Sequence, residues 1–410
     1  MKKLVILGGG TAGTMMAARL RAELDPWSWQ IQVVDRDDRH LYQPGLLFLP
    51  FGIYTHRHLH KSRRRFIPDG VEFVQAEVDR IEPSVNRVRL ADGSHLPYDQ
   101  LIVATGSRIV PDETEGLTGT GWGRDAFDFY TVEGALGLRD RLAGLKGGRV
   151  VVNMVDMPIK CPVAPLEFAF LADWFFHERG VRDDIELVYA TPLDGAFTKP
   201  RASAALGELL HTKGVNVEST FALEKVDGEN RVMTAWDGRT LDYDVLVSIP
   251  LHRGSPVIAR SEIGNESDFV PTDRHTLRSD DWDNIWVIGD ATDLPASKAG
   301  SVAHFQAEVL AENLLAAVSG LEPPCSFDGH ANCFIETGFG KAILIDFNYE
   351  TEPLPGHFPL PGVGPFTLLA ESEANHWGKL AFRWAYWNLL LKGADLSSIG
   401  PAMSHAGKWS

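Results

Sequence analysis

The sequence predicts an α/β fold: two Rossmann-like units of strand, turn, helix and strand, followed by a C-terminal region with an amphipathic helix. Three observations carry that expectation. "KKLVILGGGTAGTMMAARLRAEL" sets an apolar strand, a glycine-rich turn and a helix-forming stretch in order. The pattern begins again at "GGRVVVNM", runs through "APLEFAFLADWFFHERG" and continues into "DIELVYA". Near the end, "NHWGKLAFRWAYWNLLLK" is helix-patterned and apolar nearly all round. At 410 residues the chain exceeds one core and suggests two or three domains.

In the first unit each glycine has a task. Gly8 makes the tight turn, Gly10 allows a pyrophosphate to approach, and Gly13 lets helix and strand pack closely. The helix start adds free N–H groups and the positive end of its dipole. The next strand, "QIQVVD", ends in Asp35, placed to grip ribose hydroxyls. Its spacing exceeds the usual ~20 residues because "DPWSWQ" is inserted. Together these features read as a dinucleotide site.

Composition excludes several classes. An apolar fraction of 44% fits a packed globular protein. No run of eighteen apolar residues occurs, so no membrane-spanning helix is expected. The apolar part of "MKKLVILGGG" is too short for a signal peptide and reads as the first strand. A net charge of −16 argues against nucleic acid as a partner and against charge-driven adhesion to anionic lipid. Three cysteines, Cys161, Cys325 and Cys333, are too few for a disulfide scaffold.

Two later stretches sharpen the reading. "LPYDQLIVATGSR" is a strand running into Thr105-Gly106, and "NIWVIGDAT" a strand running into Gly289-Asp290. In this order, with the N-terminal motif, the chain resembles the flavoprotein disulfide-reductase superfamily. That resemblance implies FAD as the bound cofactor, with Thr105 and Gly106 closing its domain and Asp290 on the ribityl chain. It implies an FAD-binding domain in two segments, 1–110 and 250–320. A second Rossmann-like domain occupies 111–249, and residues 321–410 form the C-terminal region.

In such proteins the second unit ordinarily binds NAD(P)H, but here its turn reads "VDMPIKCPV". Pro158 and Pro162 remove N–H donors, no glycine allows pyrophosphate approach, and the strand ending "YA" lacks a ribose-binding acid. NADH is therefore not the expected reductant. Cys161 stands in that turn and has two readings. It is a small buried hydrophobe, or a thiol whose pKa is lowered by the helix start and Lys160.

The segment "FDGHANCFIETGFGKAILIDFNYETEPLPG" carries Cys333. Taken with "KCPVAPLE", "GDAT" and "SKAGSVAHFQAEVLAENL", it makes the chain resemble the sulfide:quinone oxidoreductases, from Lys3 to about Gly393. The resemblance implies that Cys161 and Cys333 hold a disulfide or sulfur-bridged unit on one face of the flavin, and that sulfide attacks it. The thiolate nearer the flavin, on Cys333, then passes two electrons to FAD, and quinone takes them on the opposite face. Sulfur leaves as polysulfide or zero-valent sulfur. Phe334, Lys379 and Phe382 match the family's quinone-contact positions. Glu167 either relays protons near the flavin or complements its helix start. Lys298 either stabilises charge on reduced flavin or is solvated. Many members carry a third cysteine after "ATG", and this chain has none there, so FAD is expected to bind non-covalently. Cys325 matches no family cysteine and reads as a free loop thiol.

In the stretch Asn375 to Lys392, about sixteen helical residues would reach about 24 Å, short of the ~30 Å membrane core. It is expected to lie in the interface of the cytoplasmic membrane, leaflet open, with Trp377, Trp384, Tyr386 and Trp387 at the headgroups. Lys379 and Arg383, one turn apart, would form a basic stripe. "EPLPGHFPLPGVGPF" reads as an irregular covering loop. In "THRHLHKSRRRF", His56, His58 and His60 would share one face of a strand, yet no acid or cysteine joins them. That stretch reads as a solvated basic segment, without metal. The expected partners are sulfide, membrane quinone and the membrane surface, with room for a homo-oligomer. Three rival readings stand beside this one. A type II NADH:quinone oxidoreductase would need the missing glycine loop. A flavocytochrome c sulfide dehydrogenase flavin subunit would carry an export signal. A redox sensor or scaffold would keep FAD for structure alone.

Overall fold

The computed structural model describes residues 1–360, 364–394 and 399–409. Apolar runs bounded by turns become fully buried parallel strands, as expected where helices cover both sheet faces. The first sheet runs Ile285–Val287, Gln100–Val103, Lys2–Leu7, Trp29–Asp35, Val71–Gln75, all parallel. Its outermost strand at one end comes from nearly two hundred residues downstream, which sets "GDAT" beside "ATG". The helices Thr11–Glu23 and Gly300–Val318 pack on each other across this sheet.

The second sheet repeats the plan with Ala126–Phe127, Val245–Ile249, Gly148–Met154, Ile185–Ala190 and Val215–Glu218, again parallel. Its helix Ala164–Glu178 begins with Pro165 in the first turn, where a missing N–H costs nothing. A third, mixed sheet follows, built of Ala331–Gly338, Lys341–Phe347, Gly364–Leu368 and Gly356–Leu360. The stretch expected to be an irregular loop thus contributes two paired strands, while residues 361–363 within it lie outside the described residues. Its prolines misled because they sit on the sheet's last strands, where a lost N–H is tolerated.

The C-terminal helix runs Glu373–Asn388 and continues as a 3₁₀ turn, Leu390–Lys392. Ser372 caps it by accepting the Asn375 N–H at 3.1 Å, and Gly393 at φ +70° ends the turn. One side is laid over the third sheet and the first unit. Tyr386 and Trp387 are buried there, with Trp387 stacked on Phe66 at 5.2 Å. Neither reaches a headgroup region. Lys379 and Arg383 do not form a solvent-facing stripe either, for Lys379 is drawn inward to Glu167 and Arg383 lies over the Tyr54 ring. Trp377 and Trp384, seven residues apart and so on one face, remain 65% and 63% exposed. No helix among the described residues is long and apolar enough to cross a membrane.

His56 and His58 fall in a 3₁₀ turn and His60 in a separate short strand, so the three do not share one strand face. Nor is the segment simply solvated. Its Arg63 is buried and pairs with Asp35.

Candidate active site

One cleft lies between the first sheet, the second unit's turn and the C-terminal helix. Gly8 adopts φ +95°, and a Cβ there would stand 2.4 Å from the Ala104 carbonyl oxygen. A Cβ on Gly13 would come within 1.8 Å of the Gly8 carbonyl oxygen, so its role is packing rather than lining. Gly10 borders open space, as close approach of a ligand requires. Asp35 accepts the Gly9 N–H at 2.8 Å and pairs with Arg63 at 2.6 Å, both on Oδ2. Thr105 and Gly106 line the same cleft, and Thr105 Oγ1 is buried with no hydrogen-bond partner among the described residues. Gly289 and Asp290 close the far side, with Ser107 donating to Asp290 at 3.2 Å. This cradle, with its orphaned hydroxyl and open glycine, fits a flavin dinucleotide.

The turn of the second unit is folded into this cleft. Cys161 takes φ +48°, rarely adopted by a non-glycine residue, and donates its N–H to the Lys298 carbonyl at 2.8 Å. Tyr130 donates its hydroxyl to the Lys160 carbonyl at 2.9 Å, which fixes the preceding residue. Lys298 is buried, not solvated. Its ammonium donates to the carbonyls of Asp290 and Thr292 at 3.1 and 2.6 Å and lies over the Phe269 ring. Burial brings its pKa down to about 8 against the pull of Asp290 and Asp293. It therefore braces the turn that presents Asp290 and anchors Cys161 through its own backbone.

Cys161 and Cys333 line the cleft together, and both are free thiols. The expected low pKa at Cys161 is not found. Burial and the Glu167 charge push it up to about 12, with Lys379 opposing. Lys160 is engaged elsewhere, with Gln43 at 3.2 Å. The N–H groups of Val163 and Ala164 at the helix start do favour the thiolate, but burial outweighs them. Burial and the neighbouring Cys161 push Cys333 up as well. Cys325 is a half-buried free thiol away from the cleft, its N–H held by Asn313 at 2.9 Å.

Glu167 is fully buried and accepts a charge-assisted bond from Lys379 at 2.7 Å. Its Oε1 also accepts the Glu336 N–H at 2.8 Å, while Oε2 has no partner. Burial raises its pKa against the pull of Lys379 and the Glu336 N–H, and it stands in the first turn of its helix. Lys379 further donates to the Phe334 carbonyl at 2.9 Å. Phe334 and Phe382 line the same cleft, so all three residues matched to quinone contacts meet there. The helix can come this close because Gly378 faces Phe334, where a Cβ would stand 2.8 Å from the ring.

Four features escaped the sequence reading. Arg63 lay hidden in a basic run. Tyr386, taken for a headgroup residue, instead bonds His40 and Thr11 at 2.7 Å each and lines the cleft. Glu336 and His376, bonded at 2.6 Å, extend the Glu167 cluster outward. An acid inside the apolar strand "CFIETG" was the available signal, since burying one demands a partner.

The pyridine nucleotide-disulphide oxidoreductase family matches residues 2–152. A mitochondrial sulfide:quinone oxidoreductase of Dictyostelium discoideum is 28% identical over 397 residues, covering 95% of this chain and 86% of that one. Its Mus musculus counterpart is 27% identical, again over 95% of this chain and 86% of the other. Over nearly its whole length the chain is similar to sulfide:quinone oxidoreductases. The crystal structure of such an enzyme from Aquifex aeolicus superposes with a TM-score of 0.80, at 19% identity, over 96% of this chain and 92% of that one. The resemblance carried by the two cysteine segments is thereby borne out, and the fold is that of a sulfide:quinone oxidoreductase. Within it, the degenerate second turn is the local feature that brings Cys161 to the cleft.

Proposed function

We propose that the protein is a flavin-dependent oxidoreductase that oxidises sulfide and reduces a membrane quinone through Cys161 and Cys333. The observation that carries this is the second unit's turn, which lacks the features of a nucleotide site and is folded into the first unit's cleft. There it sets one thiol in the same cleft as another, between the dinucleotide cradle and the Lys379–Glu167 pair.

Because burial keeps both thiols protonated, the cysteines act as electrophile rather than nucleophile. In the working state their sulfurs are joined. Hydrosulfide attacks one sulfur and the S–S bond breaks. A persulfide is left on Cys161 and a thiolate on Cys333, which Lys379 stabilises. A second hydrosulfide takes the terminal sulfur away as hydrodisulfide and leaves the Cys161 thiol. Gly8, Gly10, Asp35, Thr105, Gly106 and Asp290 would hold FAD non-covalently, and the cofactor would supply the two-electron redox chemistry that links re-formation of the Cys161–Cys333 bridge to quinone reduction. Lys298 steadies Asp290 and Cys161. Phe334 and Phe382 flank the quinone ring while the Lys379 ammonium meets a quinone oxygen.

Domain limits of 1–110 with 250–320, 111–249 and 321–410 suit this division of labour. The enzyme sits peripherally on the cytoplasmic membrane by the exposed Trp377 and Trp384 face.

An anaerobic titration of the FAD-loaded protein tests the proposal. Sulfide should bleach the flavin, a soluble quinone should restore it, and NADH should do neither. Cys161→Ser and Cys333→Ser should each abolish bleaching by sulfide with FAD retained, and Cys325→Ser should leave it intact. Bleaching by NADH alone, or normal turnover in either of the first two variants, overturns the assignment.

A further inference from the structure

Resting on the proposed function, the proton balance of the reaction leaves something to be supplied. Oxidation of one hydrosulfide to zero-valent sulfur releases one proton and two electrons. Reduction of quinone to quinol consumes two protons and two electrons. Each turnover therefore draws one proton from outside. The cleft ends in the fully buried Glu167 and the largely buried Lys379, so that proton needs a route.

We propose that Glu336 and His376 form that route, passing a proton from solvent to the Glu167–Lys379 pair beside the quinone. His376, on the C-terminal helix, keeps 21% of its side chain exposed and holds Glu336 by an Nδ1–Oε1 contact of 2.6 Å. Glu336 lies on the strand Ala331–Gly338, its side chain only 2% exposed. Its own N–H bonds Glu167 Oε1, which bonds Lys379. One oxygen of each carboxylate, Glu167 Oε2 and Glu336 Oε2, is buried without a hydrogen-bond partner. A leftover acceptor on both acids, at adjacent places, is what a bridging water would satisfy.

The groups around Glu336 set its behaviour. Glu167 faces it from the helix Ala164–Glu178, Lys379 and His376 from the C-terminal helix, and Tyr54, with Arg383 over its ring, from the first unit. Burial and the Glu167 charge bring Glu336 up to about 8, with Lys379 opposing. Below that pH the acid holds a proton it can give, and above it the acid is ionised. Burial lowers His376, so the imidazole is neutral near pH 7 and can pass a proton from one nitrogen to the other. In each turnover the proton moves from solvent to His376, on to Glu336, and through water to the pair at the quinone.

The test separates the two halves of the reaction. FAD-loaded enzyme is reduced with one equivalent of dithionite, and its reoxidation by decylubiquinone is followed from about pH 6 to about pH 10. The wild-type rate should fall as pH rises through about 8. Glu336→Gln should slow reoxidation roughly tenfold or more and abolish that limb. Sulfide reduction of the flavin should slow far less. His376→Ala should be similarly slow and recover with added imidazole, which a merely structural loss would not do. Equal slowing of both half-reactions, an unchanged pH profile in Glu336→Gln, or no recovery with imidazole overturns the relay. Dithionite makes this independent of sulfide, so absence of sulfide bleaching in the wild type would sink the proposed function alone.

Discussion

At the scale of single residues, the site is governed by burial more than by charge. A helix start, a nearby lysine and a cysteine ordinarily mean a reactive thiolate. Here Cys161 sits ahead of the helix, at φ +48°, with Glu167 as its dominant charged neighbour. In the reduced enzyme, iodoacetamide should therefore alkylate Cys161 slowly. The rate should climb about tenfold per pH unit with no plateau up to about pH 9, since the thiol titrates near 12. Glu167→Gln removes the charge that raises the thiol and leaves Lys379 to favour thiolate, so alkylation should speed up at every pH in that range. A plateau near neutrality in the wild type would show that the thiol is activated after all. The residue types of this site were legible in the sequence, whereas their protonation was not. Cys161, Cys333, Glu167 and Lys379 stand in recognisable strings, but the Glu167–Lys379 pairing spans more than two hundred residues and only the fold reveals it.

Among the elements, the C-terminal helix serves two surfaces at once. Its inward side delivers Lys379, Phe382 and Tyr386 to the cleft, and its outward side offers Trp377 and Trp384. Replacing both tryptophans by alanine should weaken vesicle binding roughly tenfold or more, as lost apolar burial of that size requires. Turnover with a water-soluble quinone should hold. Vesicle binding equal to wild type would place the membrane face elsewhere. The periodicity of this helix could be read from sequence, but which aromatics faced outward could not. An apolar pattern nearly all round does not say which side meets protein and which meets lipid. The hairpin Gly356–Leu360 with Gly364–Leu368 was missed for a related reason, since proline and glycine mark turns in general and edge strands only in context. The parallel units were plain because glycines and buried strands have few other uses.

For the molecule as a whole, the chain's final residues act as a strap. Lys408 pairs with Asp346, which is fully buried and also bonded by His330 at 2.8 Å. Asp328 holds the Met403 N–H at 2.9 Å, and the His357 N–H bonds the Gly407 carbonyl. Lys408→Met strands a buried carboxylate and should cost about 3–5 kcal/mol, seen as a lower unfolding midpoint of the FAD-loaded enzyme. Adding Asp346→Asn should recover part of that loss. An unchanged midpoint would mean that the strap contributes nothing.

The Tyr386 hydroxyl, shared between His40 and Thr11, has a consequence for how the protein is made. It ties the end of the glycine-rich loop to a residue 375 positions later. A ribosome must therefore complete almost the entire described chain before the cleft has its last wall. Until Tyr386 has been made, the nascent first unit offers only part of a cradle.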